Sequence, residues 1–390
     1  MINEQMYHLG ANRSVIRELF EYGKIRAGIV GAENVFDYSL GNPSIPAPEE
    51  VNQVIRELLQ DTDSVQLHGY TSAAGDLSAR QAIAKELSHR YHTEVEPQRL
   101  FLGCGAAAEL VSVIRALAVP GAEVLAIAPY FPEYKPFVEQ AGAVFKAVDA
   151  DTERFQIDFA SMEKKINANT VAVIVNSPNN PSGAVYTEDT LKSLARLLTE
   201  QAAKYGHPIY IIADEPYREL VYDGITVPFI PDIYPDTVVC YSYSKSLSLP
   251  GERIGYIYVP SQATDSDALY SAVLGAARVG GHVCAPSLMQ KMIARCAHLR
   301  PDLKAYDRNR KALYQGLVDA GYEVVKPEGA FYLFVKAPGG DAVAFSQKAK
   351  EKDLLIVPGD GFGCGGYFRL CYCVSYDMIQ RSLPIFRQLL

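Results

Sequence analysis

Strand-length apolar runs alternate with longer amphipathic stretches through most of the chain, from about residue 47 to residue 285. Each apolar run has the length of a buried strand, and each amphipathic stretch repeats its apolar positions with the period of a helix. This alternation predicts a mainly parallel sheet with helices packed on it. The clearest strand and helix pairs are 100–103 with 106–118, 124–128 with 134–141, and 171–175 with 188–205.

The pattern after residue 286 predicts a second, smaller α/β unit. Its apolar runs are again strand-sized, but they lie between helices at irregular intervals. The predicted elements are a long helix over 287–320, strands over 322–325, 330–335, 354–357 and 368–374, and a helix over 342–351.

A helix-like stretch over 11–26 and an extended run over 36–40 precede the regular alternation. We interpret them as an arm and an entry loop that pack with the C-terminal unit. The predicted division is therefore an N-terminal arm over 1–46, a large domain over 47–285 and a small C-terminal domain over 286–390.

Composition narrows the class of partner. The chain has 37 Lys and Arg against 45 Asp and Glu, a net charge of −8, and it contains no basic block. Neither a nucleic acid nor a membrane is expected as a partner, because both need clustered basic or long apolar segments. The seven cysteines are odd in number and form no CxxC pair, so we expect reduced thiols, no metal and a cytoplasmic protein.

Three apolar runs end in polar side chains of chemical interest. The run at 171–175 leads to Asn180, the run at 209–213 leads to Asp214, and the run at 238–241 leads to Lys245. In an open α/β sheet, groups placed just after the strands meet in one crevice. Singly, Asp214 also fits a helix cap, Asn180 a turn and Lys245 a solvated helix start. Their joint occurrence favours a binding site.

The residue types match the needs of pyridoxal 5'-phosphate. Lys245 can hold the aldehyde of that cofactor and later act as a base toward the substrate Cα. Asp214 can keep the pyridine nitrogen protonated, as electron withdrawal requires. The remaining candidates are Ser242, Ser244, Arg253 and the backbone N–H groups around Gly105, Ala106 and Ala107 for the phosphate, and Asn180 and Tyr217 for the ring oxygen. Phe131 either stacks on the ring or packs in the core.

With these residues in place, the chain resembles the class I/II aminotransferases, which are fold type I pyridoxal-phosphate enzymes of the aspartate aminotransferase superfamily. The resemblance runs nearly from end to end. It is strongest at 179–183 (NNPSG), 213–217 (ADEPY), 242–245 (SYSK) and 368–370 (FRL). It implies a three-layer α-β-α large domain with a mainly parallel sheet, and a smaller α/β C-terminal domain.

The resemblance also implies roles for individual residues. Lys245 would be the Schiff-base lysine, Asp214 the partner of the pyridine nitrogen, and Asn180 and Tyr217 the partners of the ring oxygen. Arg369 would bind the substrate α-carboxylate, with Gly41 beside it. Tyr70 would reach the phosphate in a neighbouring subunit, because family members are homodimers with shared sites.

Three positions depart from the family pattern. Ala107 stands where many relatives carry a Ser or Thr that donates to the phosphate, and Phe131 stands where aspartate-type enzymes commonly have Trp. The segment 278–282 does not align cleanly with the one that supplies a second arginine for acidic substrates. Arg278 is therefore either a ligand for a distal carboxylate or an arginine of the surface.

The expected function is ping-pong transfer of an amino group between an L-amino acid and a 2-oxo acid. Aspartate, alanine and aromatic donors all stay open. The alternative in the same fold is a C–S β-lyase. A third interpretation, a ligand-sensing regulator without catalysis, has little support because the sequence shows neither a helix-turn-helix nor a basic surplus.

Overall fold

The computed structural model describes residues 2–11 and 14–390. Its strands form a large sheet of seven strands, a small sheet of three and a pair of two. In chain order the strands are β1 Phe36–Asp37, β2 Leu100–Gly103, β3 Glu123–Ile127, β4 Val144–Val148, β5 Thr170–Asn176, β6 Tyr210–Asp214, β7 Thr237–Ser242, β8 Gly255–Tyr258, β9 Tyr332–Lys336, β10 Leu354–Leu355, β11 Val357–Pro358 and β12 Tyr367–Cys371.

The helices that surround these sheets begin mostly at residues that can accept a hydrogen bond from the first turn. Asp76, Asp158 and Thr187 are examples of such caps. The helices are α1 Glu4–Ala11, α2 Val15–Val30, α3 Glu49–Asp61, α4 Ser64–His68, α5 Leu77–Tyr91, α6 Ala106–Leu117, α7 Tyr134–Gln140, α8 Phe159–Lys165, α9 Glu188–Tyr205, α10 Ile230–Ile233, α11 Tyr243–Ser246, α12 Ser266–Val279, α13 Ser287–Cys296, α14 Leu303–Ala320, α15 Ala342–Lys350 and α16 Tyr376–Leu389.

The large sheet confirms the predicted fold class. Its strand order is β2-β8-β7-β6-β5-β3-β4, and only β8 runs antiparallel to its neighbours. Successive residues of the central strands enter opposite cores: Val173 and Ile211 face one layer, while Ile174 and Ile212 face the other. Both faces are therefore covered, as expected for a three-layer α-β-α arrangement.

The smaller sheet has the order β11-β12-β9, with antiparallel pairing throughout. Beside it, β1 pairs in parallel with β10, with Phe36 opposite Leu354. The N-terminal segment thus contacts the C-terminal part of the chain. The limits 1–46, 47–285 and 286–390 stay a prediction, and residues 1, 12 and 13 of the predicted arm lie outside the described residues.

The structure corrects the predicted C-terminal helix over 287–320. It is two helices, α13 and α14, separated near Pro301. Proline has no N–H for an internal helical hydrogen bond, and Asp302 caps the next helix by accepting from the Lys304 amide at 3.0 Å.

The other corrections concern short elements. The predicted strand over 322–325 is only a single bridge between Val324 and Val335. The predicted strand over 354–357 divides into β10 and β11, which belong to different sheets. Near the N-terminus, the helix predicted over 11–26 corresponds to α2, which begins at Val15 and continues to Val30; Ala11 belongs to α1, and Asn12 and Arg13 lie outside the described residues. In a segment of only four residues, apolar periodicity cannot distinguish one continuous strand from a single bridge or from two shorter strands.

Candidate active site

A cavity of about 280 Å³ lies at the carboxyl edge of the large sheet. Most of the predicted site residues line it, although they come from distant parts of the sequence. They are Ala106, Ala107, Phe131, Asn180, Asp214, Tyr217, Ser242, Ser244, Lys245 and Arg253. The cavity is completed by Leu110, Asn176, Pro216 and Pro250.

The register of three parallel strands explains this convergence. Asn176, the last residue of β5, lies opposite Asp214 at the end of β6, and Asp214 lies opposite Cys240 of β7. The segments that follow these strands therefore leave the sheet at the same edge. Lys245 follows β7 on the short helix α11, whose first turn is capped by Ser242.

Asp214 is a buried carboxyl with one oxygen available. Its Oδ2 accepts a hydrogen bond of 2.5 Å from the Tyr134 hydroxyl, and Oδ1 has no hydrogen-bond partner among the described residues. Burial raises the pKa of Asp214 to about 7, and the Tyr134 hydrogen bond opposes that rise. A positively charged N–H donor at Oδ1 would stabilise the carboxylate, so the site fits a protonated pyridine nitrogen.

Lys245 lies in a desolvated position across the cavity. Its Nζ donates to the Gly41 carbonyl oxygen at 2.5 Å and lies 5.5 Å from the centre of the Phe331 ring. Burial lowers the pKa of the Lys245 ammonium. A lowered pKa makes the free amine, which is the nucleophilic form, easier to reach at neutral pH.

The third part of the cavity is suited to an anion. The Ser242 and Ser244 hydroxyl oxygens lie 2.6 Å apart, and Arg253 Nη1 lies 3.5 Å from Ser244 Oγ. The helix α6 begins just after Gly105, whose φ is +88°. A Cβ at Gly105 would lie 2.7 Å from Arg253 Nη2, so glycine allows the guanidinium to approach the helix start. Helix N–H groups, hydroxyls and a guanidinium together fit a phosphate.

Arg369 lies on β12 and is only 2% exposed. It donates to Asn180 Oδ1 at 3.0 Å and to the Ser39 carbonyl oxygen at 2.5 Å, while its Nε has no partner among the described residues. The Tyr332 ring centre lies 4.8 Å from the guanidinium carbon. These contacts fix the orientation of a buried arginine beside Asn180, which itself lines the cavity.

Five of the candidate residues do not line the cavity: Gly41, Tyr70, Gly105, Arg278 and Arg369. Tyr70 is 98% exposed, and Arg278 is also exposed, near the end of α12. Neither side chain lines the cavity in the single chain that the structure describes. Gly41 contributes only its carbonyl oxygen, which accepts from Lys245.

Sequence reasoning gave no role to three site residues. Tyr134 and Asn176 contact Asp214, with Asn176 Nδ2 donating to the Asp214 carbonyl oxygen at 2.8 Å. Tyr332 contacts Tyr217, with 2.8 Å between the hydroxyl oxygens. Asn176 carried a readable signal, since it is a polar residue that ends an apolar run. Tyr134 and Tyr332 lie outside the four motifs named above, and their contacts depend on the fold.

Comparison with known proteins decides the family. Residues 33–383 match the family "Aminotransferase class I and II". The chain belongs to this family. These aminotransferases depend on pyridoxal phosphate, and the cavity supplies a carboxylate, a lysine and an anion site that fit that cofactor. The enzyme is therefore a pyridoxal-phosphate-dependent aminotransferase, and the β-lyase alternative is not favoured.

The aminotransferase is similar to proteins with several substrate names. A crystal structure of an amino transferase from Eubacterium rectale is 58% identical, with a TM-score of 0.98 over 100% of this chain and 98% of that one. An aspartate/prephenate aminotransferase of Thermus thermophilus is 30% identical over 90% of this chain and 89% of its own. An aromatic-amino-acid aminotransferase of Thermococcus litoralis is 26% identical over 95% of this chain and 94% of its own.

No helix among the described residues has both the length and the apolar character needed to cross a membrane.

Proposed function

We propose that this aminotransferase exchanges an amino group between an L-amino acid and a 2-oxo acid by a ping-pong mechanism. The observation that carries the proposal is that one cavity is lined by a desolvated Lys245, a buried Asp214 and an anion-binding end. The first product leaves as an oxo acid before the second oxo acid enters the same site.

Each part of the cavity has a proposed task. Lys245 holds the cofactor covalently and then, as a free amine, moves a proton at the substrate Cα. Asp214 keeps the ring nitrogen protonated, and Tyr134 holds Asp214 in place. Pyridoxal phosphate, when bound, would supply an electron sink for the chemistry at the substrate Cα. The proposed contacts of the ring are Asn180 and Tyr217 at its oxygen and Phe131 at its face.

The proposed phosphate site consists of Ser242, Ser244, Arg253 and the N–H groups of Ala106 and Ala107. Position 107 has no hydroxyl, so the backbone of α6 and the two serines contribute a larger share of the donors. Arg253 is the fixed charge of this site, and Gly105 allows its approach.

Arg369 is the proposed ligand of the substrate α-carboxylate. A guanidinium presents parallel N–H donors that match the two carboxylate oxygens. Its donation to the Ser39 carbonyl oxygen would be exchanged for a carboxylate oxygen when substrate binds. Gly41 is the proposed neighbour of that carboxylate, and a Cβ at position 41 would collide with the Tyr332 hydroxyl.

We further propose a homodimer in which Tyr70 contributes to the partner's phosphate site. Tyr70 is 98% exposed in one chain. The helix α1 has no buried residue, although it carries Met6, Tyr7 and Leu9. A helix whose large apolar side chains are all exposed in one chain is suited to a contact with another protein.

The amino donor is proposed to be of the aspartate or aromatic type, with alanine as a further candidate. This proposal rests on the names of the similar enzymes, which include aspartate/prephenate and aromatic aminotransferases. Arg278 is the position at which the aspartate type can be tested, because an acidic amino donor needs a cation to bind its second carboxylate.

The deciding experiment mixes purified holoenzyme with single L-amino acids and no oxo acid. The expected result is one equivalent of 2-oxo acid for each site, together with conversion of the bound cofactor to its amine form, followed by a stop. Lys245→Ala serves as the control that cannot exchange the amino group. Repeated release of ammonia and oxo acid would support the lyase instead, and an obligatory ternary complex would exclude the ping-pong scheme.

A further inference from the structure

Tyr217 and Tyr332 form a pair of buried hydroxyls beside the active site. Their oxygens lie 2.8 Å apart, and the residues are 5% and 2% exposed. Within the described residues, neither hydroxyl makes another hydrogen bond. One hydroxyl therefore donates to the other, and the accepting hydroxyl keeps its own proton available for a second acceptor.

The surroundings hold Tyr332 in this position. It is the first residue of β9, opposite Cys371 of β12. Its ring lies edge-on to the Tyr217 ring, with 5.6 Å between the centres, and faces the Arg369 guanidinium. A Cβ on Gly41 would overlap the Tyr332 hydroxyl, so that hydroxyl already fills the space beside Gly41.

We propose that Tyr332 is a positioning residue that donates its hydrogen bond to the Tyr217 oxygen and so directs the Tyr217 proton to the ring oxygen of the cofactor. The inference rests on the proposed placement of Tyr217 at that ring oxygen. Once Tyr217 donates there, only Tyr332 can be the donor within the pair. The direction of the shared hydrogen bond is then fixed.

Two physical effects support this direction. Burial raises the pKa of both tyrosines well above the usual range, so both hydroxyls keep the protons that they donate. Hydrogen bonds in a chain also polarise one another, and a hydroxyl that accepts one bond becomes a better donor. Tyr332 therefore strengthens the hydrogen bond that Tyr217 gives to the negatively charged ring oxygen.

The consequence is measurable in the cofactor's absorbance. The nitrogen through which Lys245 would hold the cofactor can gain or lose a proton. A stronger donor at the ring oxygen would stabilise the cofactor form in which this nitrogen has lost its proton. Removing the Tyr332 hydroxyl should raise the pH midpoint of the absorbance change by about 0.3 to 1 pH unit, the effect of one weakened hydrogen bond. Removing the Tyr217 hydroxyl should raise it further.

The test titrates the absorbance of four holoenzymes: wild type, Y332F, Y217F and the double variant. Phenylalanine keeps the ring and its contacts. The matched control is Y372F, because Tyr372 is fully buried near the same small sheet and its hydroxyl donates to the Ala330 carbonyl oxygen at 3.0 Å. Thermal unfolding of each protein checks that the fold is kept.

The expected result is a raised midpoint in Y332F, an unchanged midpoint in Y372F, and a double variant that matches Y217F alone. An unchanged Y332F, or a double variant shifted by the sum of both single shifts, would overturn the proposal. A Y332F protein that fails to fold, while Y372F folds, would assign Tyr332 a structural role and also overturn it. If Y217F itself shows no shift, the error lies in the proposed placement of Tyr217.

Discussion

Glu215 and Arg218 form an ion pair in which each side chain is only 1% exposed. Arg218 Nε donates to Glu215 Oε2 at 2.6 Å, its Nη1 donates to the Tyr256 hydroxyl, and its guanidinium lies over the Tyr241 ring. Glu215 follows Asp214 directly, and Tyr241 lies on the strand that leads to Lys245. The pair therefore links the two segments that carry the main groups of the active site.

Replacing Arg218 by methionine should destabilise the protein strongly. The change leaves the Glu215 carboxylate buried without its cation, which typically costs about 3 to 5 kcal/mol. Urea unfolding of the apoprotein measures the loss. The matched control is Lys192→Met, because Lys192 pairs with Glu188 on an exposed helix face and should show no measurable change. Equal stability of R218M and wild type would contradict the assigned role of the pair.

Asp214 should make the stability of the apoprotein depend on pH. Its folded pKa of about 7 lies above the unfolded value of 3.8, so the folded protein binds the proton more tightly. The stabilising contribution of the neutral form is therefore complete below about pH 4 and is lost as the pH rises to about 7, with a total of roughly 4 kcal/mol.

The measurement compares wild-type and D214N apoproteins at about pH 4.5 and about pH 8, near the two ends of this transition. The amide stays neutral, so D214N should gain stability relative to wild type as the pH rises. With cofactor bound, the ring nitrogen should stabilise the carboxylate and remove the gain. A constant difference between the two apoproteins would contradict the prediction.

Arg369→Lys should weaken substrate binding while the cofactor stays bound. The lysine has one cationic nitrogen, so it cannot replace the two N–H groups that reach Asn180 and Ser39. We expect kcat/KM to fall about 30- to 100-fold, the loss of one charged two-point contact. Arg381→Lys, at a half-exposed arginine of α16, is the control. Retention of wild-type kcat/KM by R369K would exclude Arg369 as the carboxylate ligand.

Gly41→Ala should impair the enzyme without a general loss of folding. The new Cβ would collide with the Tyr332 hydroxyl and displace either Tyr332 or the carbonyl that binds Lys245. We expect a raised KM and an altered cofactor spectrum. Gly28→Ala is the control, because a Cβ there meets nothing within 4 Å and alanine favours a helix. Normal kinetics in G41A would contradict the prediction, because the neighbouring atoms would then have made room for the new Cβ without affecting the site.

The proposed sharing of Tyr70 predicts that two inactive variants restore each other. A mixed dimer of Tyr70→Ala and Lys245→Ala subunits contains one site with both native residues if Tyr70 acts on the partner's site. Activity should therefore appear after the two proteins are mixed, unfolded and refolded together. If Tyr70 acted within its own chain, or if the enzyme were a monomer by sedimentation, mixing would restore nothing.

The sequence determined the layers of the large domain and the chemistry of the cavity. Buried parallel strands need continuous apolar runs, and polar residues directly after them lie at one edge of the sheet. The order of residues alone therefore placed Asn180, Asp214 and Lys245 together, and the family motifs added Arg369 and Tyr217. The break at Pro301 was readable in the sequence, since a proline ends a helical pattern near the preceding residue and Asp302 can cap the next helix; the prediction of one helix over 287–320 followed the apolar periodicity alone.

The tertiary structure alone decided which distant side chains touch. Arg369 lies 189 residues from Asn180, and Tyr332 lies 115 residues from Tyr217. Tyr134, whose hydroxyl holds Asp214, is 80 residues away from it. Apolar periodicity reports only the local orientation of a side chain, whereas these contacts depend on how whole strands and helices pack. The buried environment that shifts the pKa of Asp214 and Lys245 likewise exists only after the layers have come together.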